Sequence, residues 1–217
     1  MKFTIIEDCS PYYIRFTHDG LGEFVSYALN VYDQVDWSLP TIIDNSAWTN
    51  LESYHSGFLH RRLDESLGIE LLSQTPVSSK IPLMTKRVSF FTTAPGFEYR
   101  AHKDGANHRF SINYPIRISD DKCITNWYGE DLTNIYPLDH TMYDSSGSME
   151  CVGFDKTQHV PVKTMTAKPN EAILFNADIW HTWDNSQSDN ERIVLTLRGV
   201  GQGNVSFEEA KILLGLD

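Results

Sequence analysis

The sequence predicts a mainly β fold with a few flanking helices. Short runs rich in β-branched and aromatic residues recur through its second half, notably at 87–93, 109–116, 171–177 and 192–198, punctuated by Gly, Pro, Asn and Asp. Helical periodicity is confined to the first third and the extreme C-terminus. A hydrophobic content of 41% over 217 residues is enough to bury one sizeable core, so a single domain spanning 1–217 is expected.

Each element follows from local pattern. Leu21, Phe24, Val25, Ala28, Leu29 and Tyr32 share one stripe of an amphipathic helix. A second helix is expected from about Ala47 to Leu67, with Trp48, Leu51, Phe58, Leu59 and Leu63 inward. Together these make an N-terminal cap of helices and strands over about 1–84, ahead of a β-core over about 85–200. In the core, 87–93 reads as a strand, Pro95-Gly96 as a turn, 97–102 and 109–116 as further strands. Runs 171–177 and 180–184 are expected to pair as a hairpin, followed by a polar loop at 185–191 and a last strand at 192–198. Ser206 and Glu209 have capping-box spacing and open a C-terminal helix over about 206–215, with Leu213 and Leu214 on its apolar side. The sequence has no internal repeat and no low-complexity tract.

Charge and cysteine usage exclude several functions. A net charge of −11 opposes binding to a phosphate backbone, which draws its affinity from clustered Lys and Arg, so nucleic acid is not expected as a partner. The adjacent basic pairs Arg61-Arg62 and Lys86-Arg87 are expected at solvated ends of elements. No apolar run approaches a membrane span, and residues 1–8 lack the apolar stretch of a signal peptide. Cys9, Cys123 and Cys151 have no metal spacing, and a cytoplasmic location is expected. Residues 119–165 are rich in Asp and Glu and are expected to form loops at the mouth of the core. They read either as a solvated acidic surface or as a lid selecting a polar or cationic substrate.

The chemistry is carried by His102-Lys103-Asp104. On a strand, residues i and i+2 point to the same face, which sets an imidazole beside a carboxylate. With a distal His181, two imidazoles and one carboxylate can hold a metal and leave three adjacent positions open for a chelating 2-oxo acid and O₂. Gly105 allows a sharp exit from the strand. Period-two alternation places Arg192, Val194, Thr196 and Arg198 on one face of the last strand, and Arg109 with Ser111 on one face of theirs. His108 lies close enough in sequence to support the ligands, whereas His18, His55, His60, His140 and His159 are expected on the surface or in loops.

Over about residues 85–200 the chain resembles the 2-oxoglutarate/Fe(II)-dependent oxygenase superfamily. The likeness rests on the order His102-x-Asp104, distal His181, then Arg192 opening the last core strand. The run from His102 to Ile116 is most similar to the aspartyl/asparaginyl and prolyl hydroxylase-like branch, including small bacterial and phage oxygenases. The resemblance implies a double-stranded β-helix, or cupin-like jelly roll, with the N-terminal helices packed on its major sheet. It implies Fe(II) on His102, Asp104 and His181, and 2-oxoglutarate with its distal carboxylate on Arg192. Arg198 is a same-face reserve for that carboxylate, and Arg109, with Ser111 beside it, is placed to hold cosubstrate or a substrate carboxylate. O₂ is the implied oxidant and ascorbate the implied reductant. The implied reaction converts 2-oxoglutarate to succinate and CO₂ while hydroxylating a C–H bond of an amino-acid or protein side chain, or of another small polar substrate. The animal aspartyl hydroxylases have glycine where this chain has Asp104, so a full triad is expected here, and a halogenase is disfavoured. Two other readings stay open. A cupin-like metal protein using Zn or Mn for hydrolysis or isomerisation would not need Arg192. In a metal-free β-sandwich binding module, the three ligands would not converge.

Overall fold

The computed structural model describes residues 2–35, 58–98, 101–104, 109–129, 136–137, 143–144, 147–148, 150–153, 159–199 and 205–217. Its elements are β1 (Phe3–Cys9), β2 (Tyr13–His18), α1 (Leu21–Gln34), β3 (Phe58–Arg62), α2 (Glu65–Ser73), β4 (Ser89–Thr93), β5 (Ala101–Lys103) and β6 (Phe110–Arg117). Then come β7 (Ile124–Trp127), β8 (Tyr136–Pro137), β9 (Tyr143–Asp144), β10 (Gly147–Ser148), β11 (Glu150–Gly153), β12 (Lys163–Thr166), β13 (Ala172–Asn176), β14 (His181–Asp184), β15 (Arg192–Arg198) and α3 (Phe207–Leu214). The fold is mainly β, as expected. A seven-stranded sheet runs β1-β2-β13-β6-β15-β4-β3 and a six-stranded sheet runs β12-β7-β14-β5-β11-β8. The pairings in both are antiparallel.

Away from its edge strand β1, the seven-stranded sheet is covered on both faces. Its helix-side face carries Ile14, Phe16, Ile112, Tyr114, Leu174, Leu195 and Leu197, which pack with Phe24, Val25, Ala28 and Val31 of α1 and Phe207 and Leu214 of α3. Of the amphipathic stripe expected for α1, Leu21, Phe24, Val25, Ala28 and Tyr32 are buried; Leu29 is only partly buried, and Val31 is buried in addition. The opposite face meets the smaller sheet: Tyr13 stacks on Trp127 with ring centroids 5.1 Å apart, and Phe175 and Met165 join them. Because both faces are covered, alternation along β15 does not separate core from solvent. It separates an apolar buried face, Ile193, Leu195 and Leu197, from a polar buried one, Arg192, Thr196 and Arg198. Burying polar and charged groups is costly without partners, so the interval between the sheets is where function is to be sought.

Several expectations are corrected. Runs 171–177 and 180–184 do not form a hairpin: β13 bonds to β2 and β6, and β14 to β5 and β7. The short connection carries the chain from one sheet to the other, with Ala177 accepting a hydrogen bond from the Asp104 backbone N–H at 3.1 Å. The second helix is also displaced. Residues 58–62 form β3, which pairs along β4 and satisfies the backbone groups of that edge. The helix starts only after Asp64, whose side chain accepts from the Leu67 N–H; residues 47–57 lie outside the described set. The N-terminal region thus contributes β1, β2 and β3 to the seven-stranded sheet in addition to its helices.

His18 is buried rather than on the surface, with Nδ1 2.9 Å from the Asp19 carbonyl and Nε2 3.4 Å from the Tyr114 hydroxyl. Burial lowers its pKa. Arg87 is likewise buried. The capping box at Ser206 and Glu209 forms as expected. Gly105, His108, His55 and His140 lie outside the described residues, as does much of 119–165. Among the described residues no helix is long and apolar enough to cross a membrane.

The polar loop before β15 is tied down by one side chain. Asn185 Nδ2 donates to the carbonyls of Ala94 (2.9 Å) and Asn190 (2.8 Å), and its Oδ1 accepts from Cys123 Sγ at 2.8 Å. Gly96, in the left-handed region at φ 72, turns the chain so that its N–H reaches the Asn185 carbonyl. Asn185→Ala leaves two carbonyls and a thiol without these partners in a buried setting. The expected loss is about 3 kcal/mol, read as a shifted midpoint in urea unfolding.

Candidate metal centre

β5 and β14 lie side by side in the smaller sheet, with His102 directly opposite His181. Their side chains therefore rise from the same face, and the rings sit 4.2 Å apart, centroid to centroid. Asp104 follows the end of β5, and its Oδ1 is 3.9 Å from His102 Nε2. One ligand atom from each of His102, Asp104 and His181 can be chosen so that all lie within 4.8 Å of one another. Sequence spacing anticipated this convergence, and the register of β5 against β14 supplies it. The metal-free binding module, which required the three residues to be apart, is disfavoured.

The donor atoms fit a cation. His181 Nδ1 lies 2.8 Å from the Ile179 carbonyl, so its proton is directed there and the lone pair belongs to Nε2. Nε2 is buried and has no hydrogen-bond partner among the described residues. Burial, reinforced by the neighbouring His102, pulls the His181 pKa down to about 3, so the ring is neutral at neutral pH. A buried imidazole nitrogen in its unprotonated form, beside a second imidazole and a carboxylate, matches the N₂O donor set of a divalent transition metal.

The two arginines of β15 occupy different surroundings. Arg198 Nη1 lies 3.3 Å from Asp104 Oδ2, so this guanidinium holds the oxygen of the carboxylate that is turned away from His102. Arg192 is fully buried and makes no ion pair among the described residues. Among the described residues its hydrogen bonds are long, 3.5 Å to both the Ile124 carbonyl and Thr125 Oγ1, and its Nε has no partner. Burial draws its pKa down to about 10. Thr196 Oγ1 and Trp127 Nε1 are also buried without hydrogen-bond partners among the described residues.

Ser111 is buried beside Arg198 in the β6–β15 register and donates to Asn113 Oδ1 at 3.2 Å. Arg109 is nearly half exposed, and its Nε donates to Asp178 at 2.8 Å. Sequence reasoning overlooked Trp183 and Thr125. Trp183 stands two residues beyond His181 on the same strand, so the alternation that linked His102 to Asp104 also put Trp183 on the ligand face.

The sequence matches no family model and no curated protein. The fold, however, is shared with solved enzymes. EvdO2 from Micromonospora carbonacea var. aurantiaca, complexed with 2-oxoglutarate, is 15% identical over 87% of this chain and 86% of that chain, with a TM-score of 0.51. HygX from Streptomyces hygroscopicus, with nickel, 2-oxoglutarate and hygromycin B bound, is 9% identical over 87% and 82%, with a TM-score of 0.50. The epimerase SnoN in complex with Fe³⁺, α-ketoglutarate and nogalamycin RO is 11% identical over 87% and 78%, again at 0.50. At such identities the likeness defines the fold; the chemistry of this chain has to be argued from its own side chains.

Proposed function

We propose that this chain is a non-haem Fe(II) oxygenase of the 2-oxoglutarate-dependent superfamily, built on a double-stranded β-helix, with His102, Asp104 and His181 as metal ligands and Arg192 as the cosubstrate anchor. The observation that carries this reading is the Arg192 guanidinium, buried without a counter-charge among the described residues on the face that also bears the candidate ligands' neighbours. A buried cation is costly unless an anion joins it, and a dicarboxylate chelating the metal through its 2-oxo and 1-carboxylate groups brings such an anion at its far end. The alternative metal hydrolase or isomerase needs the triad but gives Arg192 no work.

When bound, ferrous iron supplies the redox chemistry that couples decarboxylation of 2-oxoglutarate to succinate with oxidation of a C–H bond by O₂, and ascorbate keeps it reduced. The protein's own part is positional. Burial keeps the His181 ring neutral, and its bond to the Ile179 carbonyl holds the remaining proton on Nδ1, leaving Nε2 for the metal. Arg198 fixes Asp104 so that Oδ1 stays turned toward His102. The apolar packing of Tyr13, Trp127 and Phe175 excludes water from one side of the interval between the sheets. Hydroxylation of an amino-acid or protein side chain, or of another small polar substrate, is the outcome we favour, in a cytoplasmic setting. The net charge of −11 speaks against nucleic acid.

The test needs no prime substrate. With Fe(II), ascorbate and O₂, the protein should slowly convert 2-oxoglutarate to succinate, and N-oxalylglycine should stop it. No succinate above a metal-free control, with freshly loaded Fe(II), would favour the hydrolase or isomerase.

A further inference from the structure

We infer that Trp183 walls the space between the metal centre and Arg192 and sets which length of 2-oxo diacid the site accepts, an inference that rests on the 2-oxoglutarate reading above. One indole touches both ends of that space. The Trp183 ring stands perpendicular to His102, with centroids 5.9 Å apart at 89°, and lies 6.5 Å from the ring of His181. Towards the other end, the Arg192 guanidinium carbon lies over the same indole, 5.9 Å from its centroid. A ligand joining metal to Arg192 must run alongside this ring.

The wall is fixed in place. Phe91 of β4, in the opposite sheet, packs edge-on against Trp183 at 5.1 Å, so the indole is held from the side facing the larger sheet. Thr125 is paired with Trp183 across β7 and β14, and its Oγ1 is the group 3.5 Å from Arg192 Nη2. A guanidinium stacked on an aromatic face keeps its in-plane N–H groups for other partners, and Nε is one that has none among the described residues. Trp183 therefore has two effects on the same ligand. It holds Arg192 with its donor edge available for a carboxylate, and its own bulk removes the room that an additional methylene would need. A residue of ordinary structural importance would have the first contact set or the second; this one has both.

Calorimetric titration of the Mn(II)-loaded protein with 2-oxoglutarate and 2-oxoadipate tests this without turnover. A methylene more or less in a fitted apolar pocket changes affinity by about tenfold to two hundredfold, so the wild type should prefer the five-carbon acid by at least about tenfold. Trp183→Leu should erase most of that preference, while Mn(II) affinity, measured separately, should change by no more than about twofold, since no ligand atom is removed. Trp183→Phe should shift the ratio in the same direction but less, and it carries the test if the leucine variant does not fold. Wild-type protein that binds Mn(II) but neither diacid would overturn the 2-oxoglutarate reading itself. Wild-type protein that binds 2-oxoglutarate, with an unchanged ratio in the variants, would overturn only the role of Trp183.

Discussion

Arg192→Met should weaken 2-oxoglutarate by roughly ten- to a hundredfold, leave metal affinity unchanged, and raise the thermal stability of the metal-free protein. The first effect follows from losing hydrogen bonds to a charged carboxylate, about 1.5–3 kcal/mol net, at about 1.4 kcal/mol for each factor of ten. The second follows because Arg192 donates no atom to the His102–Asp104–His181 cluster. The third has its cause in the ligand-free fold, where a fully buried guanidinium has, among the described residues, no hydrogen bond shorter than 3.5 Å and no ion pair, and its pKa is drawn down by burial. Methionine fills similar volume without a charge to desolvate, so an apolar replacement is favoured where the charge has no partner. Stability gained together with binding lost is the signature of a residue kept for its ligand. Differential scanning calorimetry of the apo-protein and anaerobic Fe(II)/2-oxoglutarate titration, read at the visible charge-transfer band, measure the pair. A variant that is destabilised and binds 2-oxoglutarate normally would mean that Arg192 is a structural group.

The contrast between Arg192 and Arg198 also shows what a linear sequence can convey. Alternation along 192–198 placed both arginines on one face, and β15 places both on the buried face turned away from the helices. That one would be consumed by Asp104 and the other left without an ion pair among the described residues depends on where β5 ends relative to β15, which no local pattern encodes. His102 and Asp104 were legible because both lie within three residues and strand geometry alone sets their relation. His181 required the register of β14 against β5. The hairpin expectation for 171–177 and 180–184 failed for a related reason. Nearness in sequence favours pairing, but β13 found better-matched apolar neighbours in β2 and β6, and β14 was drawn into the other sheet. Phe58 and Leu59 fitted a helical stripe, yet the open edge of β4 claimed them. His18 was assigned to the surface because a lone polar residue usually lies there; its partners, Tyr114 and the Asp19 carbonyl, come partly from a strand almost a hundred residues away.

Asp104→Ala should abolish detectable metal binding and also destabilise the apo-protein by about 3 kcal/mol, the scale for removing one partner of a buried ion pair. The binding loss follows from chemistry: two neutral imidazoles hold a divalent cation more weakly than the same pair with a carboxylate, and they leave its charge less balanced. The stability loss follows from Arg198, whose Nη1 lies 3.3 Å from Asp104 Oδ2 with both side chains about one-tenth exposed. Without Asp104, that cation loses its ion-pair partner beside Phe91 and between the sheets. The two effects separate in the double variant. Asp104→Ala with Arg198→Met should recover most of the lost stability, because neither charge remains, while metal binding stays absent because the carboxylate is still missing. Urea unfolding of the three proteins, alongside Mn(II) titration of each, gives the comparison. If the double variant is no more stable than Asp104→Ala alone, the ion pair is not what holds Asp104 in place, and the orientation of the candidate metal carboxylate has to be assigned to the Asp104 backbone bond with Ala177 instead.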